Sequence, residues 1–428
     1  MTIREKAAVM KLDSPQMAAT EIEVRNTALQ HITEVLLANK EQIFKANQMD
    51  LEEAEKNQIP VAVVKRLKFT EQKLRDAVKG IQNLIALPDP LHQIQLKREL
   101  DKDLLLIRET CPIGVIGVIF EARPDAMVQI ASLCIKSGNC AILKGGSETK
   151  YTNKLLFDLI YQAATESGLP ENCLFQAQLR DEITELLACH ESVDLLIPRG
   201  SNSFVQYIMN HTKIPVMGHA DGICHIYVDK EFDLEKAIPV IIDAKTQYTA
   251  ACNAVETLLV HKDAVDQLMP SLQKAFREKQ ITLRATEDIA EKYTCDLATE
   301  DDFKTEYLDL IISAKTVNSI EEAVQHINRY GSHHTDCIVT EDDKAAAYFM
   351  QMVDSAGVYQ NCSTRFADGF RYGFGAEVGI STGKIHARGP VGLEGLVTYK
   401  YKLFGNGQIV DDYATGKKDF HFKDVEDR

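Results

Sequence analysis

The sequence is short of several things, and each shortage argues against a class of function. No run of roughly 18 apolar residues occurs, so no membrane-spanning helix is expected. The start, MTIREKAAVMKLDSPQMAATE, has neither the short apolar core nor the cleavage site of a secretory signal, and reads as an amphipathic helix. Positive charge is in deficit: 48 Lys and Arg against 63 Asp and Glu, a formal net charge of −15. That balance argues against general binding to nucleic acid or to an anionic membrane, while leaving room for a local basic pocket around a small anion. The ten cysteines include no CxxC pair, and Cys134 and Cys140 have poor metal spacing. Free thiols in a reducing cytoplasm are therefore expected, with no bound metal. A P-loop lysine motif is missing, so nothing supports a nucleotide-triphosphatase or kinase. No internal repeat and no low-complexity tract is visible.

What is present is an ordinary globular composition, 45% hydrophobic and 26% charged, over 428 residues. That length predicts two or three domains. Residues 15–86 repeat apolar side chains at three- and four-residue spacing, as in TALQHITEVLLANKEQIFKAN, and predict a helical block closed by Pro88 and Pro90. IQLKRELDKDLLLIRET predicts a charged β-hairpin, an arm or an edge rather than core. From Cys111 the texture changes. GVIGVIF (114–120), NCAILKGG (139–146) and VDLLIPRG (193–200) read as buried strands alternating with helices, which implies a parallel sheet covered on both faces. Such sheets bind ligands beyond the carboxyl ends of their strands. Those ends are FEARPD, LKGGSE and IPRGSN, all rich in polar groups. After Asp229, ETLLVHKDAV, YLDLIISAK and HTDCIVTEDDKAAAYFMQ predict a second run of α/β units. LVTYKYKLFG (396–405) alternates like a strand able to pair with the hairpin, and the tail VDDYATGKKDFHFKDVEDR is expected to be charged and partly mobile.

Four motifs carry chemistry or imitate it. GFGAEVG (373–379) has the wrong spacing for a dinucleotide fingerprint and comes after no buried strand, so it reads as a flexible glycine loop. LKGGSE (143–148) suits an anion at a helix start, with Lys144 adding charge, but also suits a plain turn with a solvated lysine. GHADGICHIYVD, with His219 and His225, reads as a glycine-rich connection into a strand rather than a metal site, and His333-His334 as a solvated turn. Cys252, in DAKTQYTAACNAVETLLVH, stands behind two alanines where a polar run gives way to an apolar one. A small core thiol fits this. So does a nucleophile at the amino end of a helix or strand, where backbone N–H groups favour a thiolate and hold an oxyanion.

The series CPIGVIGVIFEARPDA, LKGGSE, IPRGSN, PVMGHADGICHIYVD, DAKTQYTAACNAVETLLVH and YGFGAEVGISTGKIHARGPVGLEGL resembles the γ-glutamyl phosphate reductase family (glutamate-5-semialdehyde dehydrogenases), the proline-pathway branch of the aldehyde dehydrogenase superfamily. The resemblance runs from about residue 5 to about residue 410. It implies an α/β, aldehyde-dehydrogenase-like fold: a Rossmann-type NADP-binding domain (1–92 and 112–228), an α/β catalytic domain (229–390), a small β oligomerisation arm (93–111 and 391–410) and a charged tail (411–428). It implies Cys252 as nucleophile, and Lys144, Gly145, Ser147, Glu148, Gly200 and Ser201 as cofactor-binding residues. Arg123, Asn253, Arg365, Lys384, His386 and Arg388 are candidates for the anionic substrate, L-glutamyl 5-phosphate. The family's asparagine loop is replaced by Phe120-Glu121-Ala122-Arg123-Pro124, so the oxyanion donors lie elsewhere, with the Cys252 backbone N–H a candidate. Where aldehyde-oxidising relatives carry a water-activating glutamate, this chain has Val216-Met217-Gly218-His219-Ala220, which suits a thioester that is reduced rather than hydrolysed. A homo-oligomer (dimer or tetramer), a cytoplasmic location and glutamate kinase as a partner are implied too. Two alternatives stand: another acylating aldehyde dehydrogenase, or a non-catalytic cofactor-binding partner of glutamate kinase.

Overall fold

In the computed structural model, which describes residues 2–178, 182–219 and 221–425, the chain divides into two units. One comprises Met1–Met217 with Gly392–Arg428, the other Gly218–Val391.

The first unit opens with five helices, Ile3–Ala18, Ile22–Ala38, Lys40–Lys56, Val61–Leu67 and Glu71–Ala86. The helical block thus begins before residue 15. Thr2 caps it: its hydroxyl accepts the Glu5 N–H, and the Glu5 carboxylate accepts the Thr2 N–H. Leu29, Ile32 and Leu36 lie on one buried stripe of the second helix, as the spacing predicts. The charged hairpin comes next as β1 (Ile94–Asp101) and β2 (Leu104–Pro112). Beyond it are β3 (Val115–Phe120), β4 (Cys140–Gly145), β5 (Leu174–Ala177) and β6 (Leu195–Arg199), a parallel sheet in the order β5-β4-β3-β6. Every residue of β3 is buried. Each valine or isoleucine so placed contributes about 1.5–3 kcal/mol, which explains the unbroken apolar runs. The helices Pro124–Lys136 and Lys150–Glu166 alternate with these strands.

The second unit holds β7 (Cys224–Val228), β8 (Val255–His261), β9 (Thr282–Ala285), β10 (Asp296–Leu297), β11 (Ile311–Val317), β12 (Thr335–Val339) and β13 (Gly357–Gln360). They form one parallel sheet in the order β10-β9-β11-β8-β7-β12-β13. Side chains alternate between two hydrophobic clusters: Ile226, Val228, Leu258 and Val260 join one, Tyr227 and Leu259 the other. A two-stranded antiparallel piece comes after them, β14 (Gly379–Ser381) with β15 (Gly389–Val391). The boundary expected between residues 228 and 229 falls between Met217 and Gly218 instead, because β7 is hydrogen-bonded between β8 and β12. Val391 is the last residue of β15, and Gly392–Arg428 belongs with Met1–Met217 in one unit.

A buried histidine in this unit makes stability depend on pH. His326, on the helix Ile320–Tyr330, is 4% exposed, and neither ring nitrogen has a hydrogen-bond partner among the described residues. Its ring packs edge-on against His225 and Phe303. Burial, with His225, Lys315 and Arg329 adding to it, pushes the imidazolium down to about 2. The unfolded chain binds this proton near pH 6.5, so the stability that neutral His326 maintains is full above that pH and drains away as acid is added. The variant His326→Phe is expected to gain about 1–3 kcal/mol by removing an unsatisfied buried polar group and to flatten the acid limb of a Tm-against-pH profile. An unchanged limb would contradict this assignment.

After β15 the chain returns to the first unit. There β16 (Val397–Phe404) pairs with β2, and β17 (Lys423–Asp424) with β1, giving an antiparallel sheet in the order β16-β2-β1-β17. The expected pairing of 396–405 with the hairpin is met. The tail, expected to be partly mobile, is instead fastened to β1. Arg98 holds Asp424 at 2.5 Å, and the Tyr413 hydroxyl donates to Asp101 at 2.8 Å; residues 426–428 lie outside the described part. Among the described residues no helix is long and apolar enough to cross a membrane.

Candidate active site

In the first unit the carboxyl ends of β3, β4 and β6 are neighbours, so the three polar loops singled out in the sequence meet there. Lys144, 4% exposed, is the last residue but one of β4 and donates to the Gly145 carbonyl at 2.8 Å. Burial draws its ammonium down from the usual lysine range, and Glu182 and Glu148 oppose that. Gly146 and Ser147 turn through the short 3₁₀ segment Ser147–Thr149 into the helix Lys150–Glu166. One oxygen of Glu148 accepts the Ala122 N–H at 2.6 Å, and Glu121 accepts the Ser201 N–H at 2.9 Å. The six cofactor candidates, Lys144, Gly145, Ser147, Glu148, Gly200 and Ser201, therefore share one strand-end edge. Their donor set fits a dinucleotide: an ammonium with further donors to offer, a carboxylate for ribose hydroxyls, and an exposed Gly200-Ser201 turn.

In the second unit Cys252 lies, half-buried, in the turn between the helix Leu234–Thr246 and β8. The base of that turn is pinned by Lys245 and Glu256, both fully buried and 2.5 Å apart. Burial pushes the Glu256 carboxyl up to about 8 and the Lys245 ammonium down, and their attraction opposes both. The far side is held by Thr364, whose hydroxyl donates to the Asn253 carbonyl at 2.7 Å.

Because β8, β7 and β12 are adjacent and parallel, residues just ahead of each strand converge at the amino edge of the sheet. Ahead of β8 is Cys252, ahead of β7 Gly222, and ahead of β12 His334. A Cβ on Gly222 would sit 2.0 Å from the Cys252 carbonyl oxygen and 2.4 Å from its Cα, so no side chain fits there. His334, 1% exposed, brings Nε2 to 3.2 Å from the Cys252 sulfur, while its Nδ1 meets the Thr335 hydroxyl at 2.9 Å. His219 packs edge-on against His334, ring centroids 4.9 Å apart, with its Nδ1 at 2.9 Å from the Ile380 carbonyl. A thiol with an imidazole in contact with it, on a tightly packed backbone, is the arrangement that a nucleophile and its base require.

The aldehyde dehydrogenase family pattern matches residues 2–290. A curated relative from Ruminiclostridium cellulolyticum, named gamma-glutamyl phosphate reductase, is 53% identical over 98% of this chain and 97% of its own length. The chain belongs to this reductase branch of the aldehyde dehydrogenase family. Another relative of that name, from Acetivibrio thermocellus, is 52% identical over the same shares. The crystal structure of gamma-glutamyl phosphate reductase from Thermotoga maritima superposes with a TM-score of 0.92 at 37% identity, covering 95% of this chain and 99% of that one.

In this member of the family the candidate substrate residues are dispersed. Arg365 lies in the 3₁₀ turn Thr364–Phe366, 8% exposed, its Nε donating to the Gln247 side chain at 2.9 Å. Burial and the nearby Arg371 draw its guanidinium down from the usual arginine range, while the Cys252 sulfur acts in the opposite sense. Asn253 is 3% exposed, and its Nδ2 donates to the Ala367 carbonyl at 2.8 Å. Lys384 and Arg388, from the β14–β15 loop with exposed His386 between them, converge on Asp354 at 2.7 and 3.3 Å. Arg123 is exposed at the start of the helix Pro124–Lys136 in the first unit. Ala220 lies outside the described residues. Sequence reading missed His334, taken for a solvated turn. The available signal was its place directly before TDCIV, a buried strand.

Proposed function

We propose that this chain reduces L-glutamyl 5-phosphate to L-glutamate 5-semialdehyde and inorganic phosphate, with NADPH as reductant and a Cys252 thioester on the way. The observation that carries the reading is the 3.2 Å approach of His334 Nε2 to the Cys252 sulfur. Neutral His334 accepts the thiol proton, and the imidazolium then faces the thiolate. The thiolate attacks the γ-carbonyl, the C–S bond forming as the carbonyl electrons move onto oxygen. Their return expels phosphate with its C–O pair and leaves the thioester. Backbone N–H groups of the turn, that of Cys252 first, hold the oxyanion. Lys144, Gly145, Ser147, Glu148, Gly200 and Ser201 would hold NADPH, which would supply the hydride for reduction of the thioester to a thiohemiacetal. Collapse of the thiohemiacetal frees the aldehyde and returns the sulfur to His334. No carboxylate occupies the stretch Val216–His219, so nothing there activates water to divert the thioester.

A nicotinamide cofactor goes with the family; the choice of NADP over NAD belongs to the proposal. The substrate brings a phosphate and an α-carboxylate. Arg365 is the cation we assign first, because it is buried in the turn whose Thr364 is hydrogen-bonded to Asn253, the residue after Cys252. Lys384 and Arg388 serve by exchanging Asp354 for a substrate anion, with His386, Arg123 and Asn253 as further binding positions. The direct test runs the reaction backwards. Oxidation of L-glutamate 5-semialdehyde by NADP⁺ is expected to require inorganic phosphate and not coenzyme A. Dependence on coenzyme A would overturn the substrate assignment in favour of an acylating aldehyde dehydrogenase.

The β16 edge supports self-association. Tyr399, Tyr401 and Leu403 alternate along it, 49%, 56% and 57% exposed, on a strand whose outer hydrogen-bonding edge faces no other strand of its sheet. A dimer or tetramer is expected by sedimentation, and Tyr401→Glu is expected to shift it toward monomer; a monomeric parent chain would remove this part of the proposal. A cytoplasmic location and association with a glutamate kinase, the class of enzyme that makes an acyl phosphate of glutamate, complete the reading.

A further inference from the structure

The thiol and its neighbouring imidazoles do more than the proposed reaction requires. His219, Cys252 and His334 each offer one ligand atom, and these atoms all lie within 4.8 Å of one another; among the described residues this is the one such group of three. We propose that Zn²⁺ binds here through two imidazole nitrogens and the Cys252 thiolate, and acts as a reversible plug on the nucleophile.

Three observations carry this. First, the donors are nitrogen and sulfur, the set zinc prefers over the oxygen ligands that magnesium and calcium need. Second, the spacing suits a tetrahedral ion. With Zn–N about 2.0–2.1 Å and Zn–S about 2.3 Å, the ligand atoms of such a site stand roughly 3.3–3.6 Å apart. The His334 Nε2 and Cys252 Sγ pair is already at 3.2 Å, and the remaining approach is within the reach of side-chain rotation. Third, His219 is held in place beside the other two donors. Its Nδ1 lies 2.9 Å from the Ile380 carbonyl. A second contact, edge-on with the His334 ring, keeps the imidazole next to the pair it would complete. The backbone beneath is rigid, since Gly222 packs directly on the Cys252 main chain.

Binding exchanges one proton for one metal–sulfur bond: the thiol proton leaves to solvent, the sulfur lone pair goes to zinc, and no redox step occurs. The fourth position stays open to water. A sulfur committed to zinc cannot attack a carbonyl, so the ion inhibits. The inhibition rests on Cys252 being the nucleophile proposed above; the binding does not.

The test uses the full chain and Zn²⁺ itself, with Co²⁺ as the spectroscopic probe. Iodoacetamide alkylation is monitored at each cysteine by peptide mass. At Zn²⁺ a hundred times its Kd, alkylation of Cys252 is expected to slow about a hundredfold, with Cys295, also half-buried, unchanged as internal control. Magnesium in large excess is expected to do nothing, and a chelator to restore the rate. Co²⁺ is expected to give a thiolate charge-transfer band that Cys252→Ser abolishes. His219→Gln is expected to weaken binding by more than the roughly 10- to 100-fold that loss of an outer partner costs. Unaltered Cys252 alkylation under zinc overturns the proposal, as does a His219→Gln chain that binds Co²⁺ like the parent. Zinc protection in a chain without phosphate-dependent turnover would sink the reductase reading and leave the metal site standing.

Discussion

Changing Cys252 to alanine is expected to bring phosphate-dependent NADP⁺ reduction down to background, a loss on the order of 10⁵-fold or more, while NADPH still binds. The size of the effect reflects how little can replace this sulfur. A neighbouring thiol, Cys224, starts β7 and donates to the Cys252 carbonyl at 3.3 Å. It is fully buried, and that burial pushes its thiol well above the normal range. A sealed, protonated thiol is no nucleophile at neutral pH. Retained cofactor binding is expected because Lys144, Glu148 and Ser201 belong to the other unit. Fluorescence titration with NADPH, beside a stopped-time turnover assay, separates the two. Turnover that survives in Cys252→Ala would remove the thioester route.

His334→Gln is the second large effect. Losing a general base in contact with a nucleophile costs typically about 10²–10⁴ in rate, and the loss is expected in kcat rather than in KM for NADPH. The same variant is expected to slow iodoacetamide alkylation of Cys252, a readout that needs no substrate. Glutamine keeps a polar group near Thr335 and much of the imidazole's volume, so the variant is expected to fold, with Tm as the check. If turnover falls while alkylation of Cys252 proceeds at the parent rate, His334 is not the partner of the thiol.

These two residues were unequally legible. Cys252 stood out as a candidate in its local string, small neighbours leading into VETLLVH, and the candidate cofactor loops stood out as polar ends on buried runs. Local patterning carries that kind of information, because a strand buried on both faces leaves no room for polar residues until it ends. His334 had no local mark. Its meaning depends on β12 lying beside β7 and not beside β11, which precedes it in sequence. Strand order is a long-range property, and one sequence does not display it. The unit boundary slipped by about ten residues for the same reason: β7 could belong with the strands before it or with those after it, and its hydrogen bonds to β8 and β12 decide. Lys384 and Arg388 looked like unassigned cations, because their shared carboxylate, Asp354, is some 30 residues away in sequence. The polar loops singled out by the carboxyl-end rule do gather on the first sheet, whereas the Cys252 sulfur stands at the amino edge of the second.

The clasp between β17 and β1 bears on how the chain should be handled in the laboratory. Its last stretch, full of lysine and aspartate, is what a protein chemist trims to help crystals grow. Cutting after residue 410 would strip β1 of the Asp424 carboxylate on Arg98 and of the Lys423 pairing with Glu99. A bare strand margin invites neighbouring molecules to stack on it. Shortened versions should therefore be judged by light scattering before any loss of activity is blamed on the Cys252 thiol.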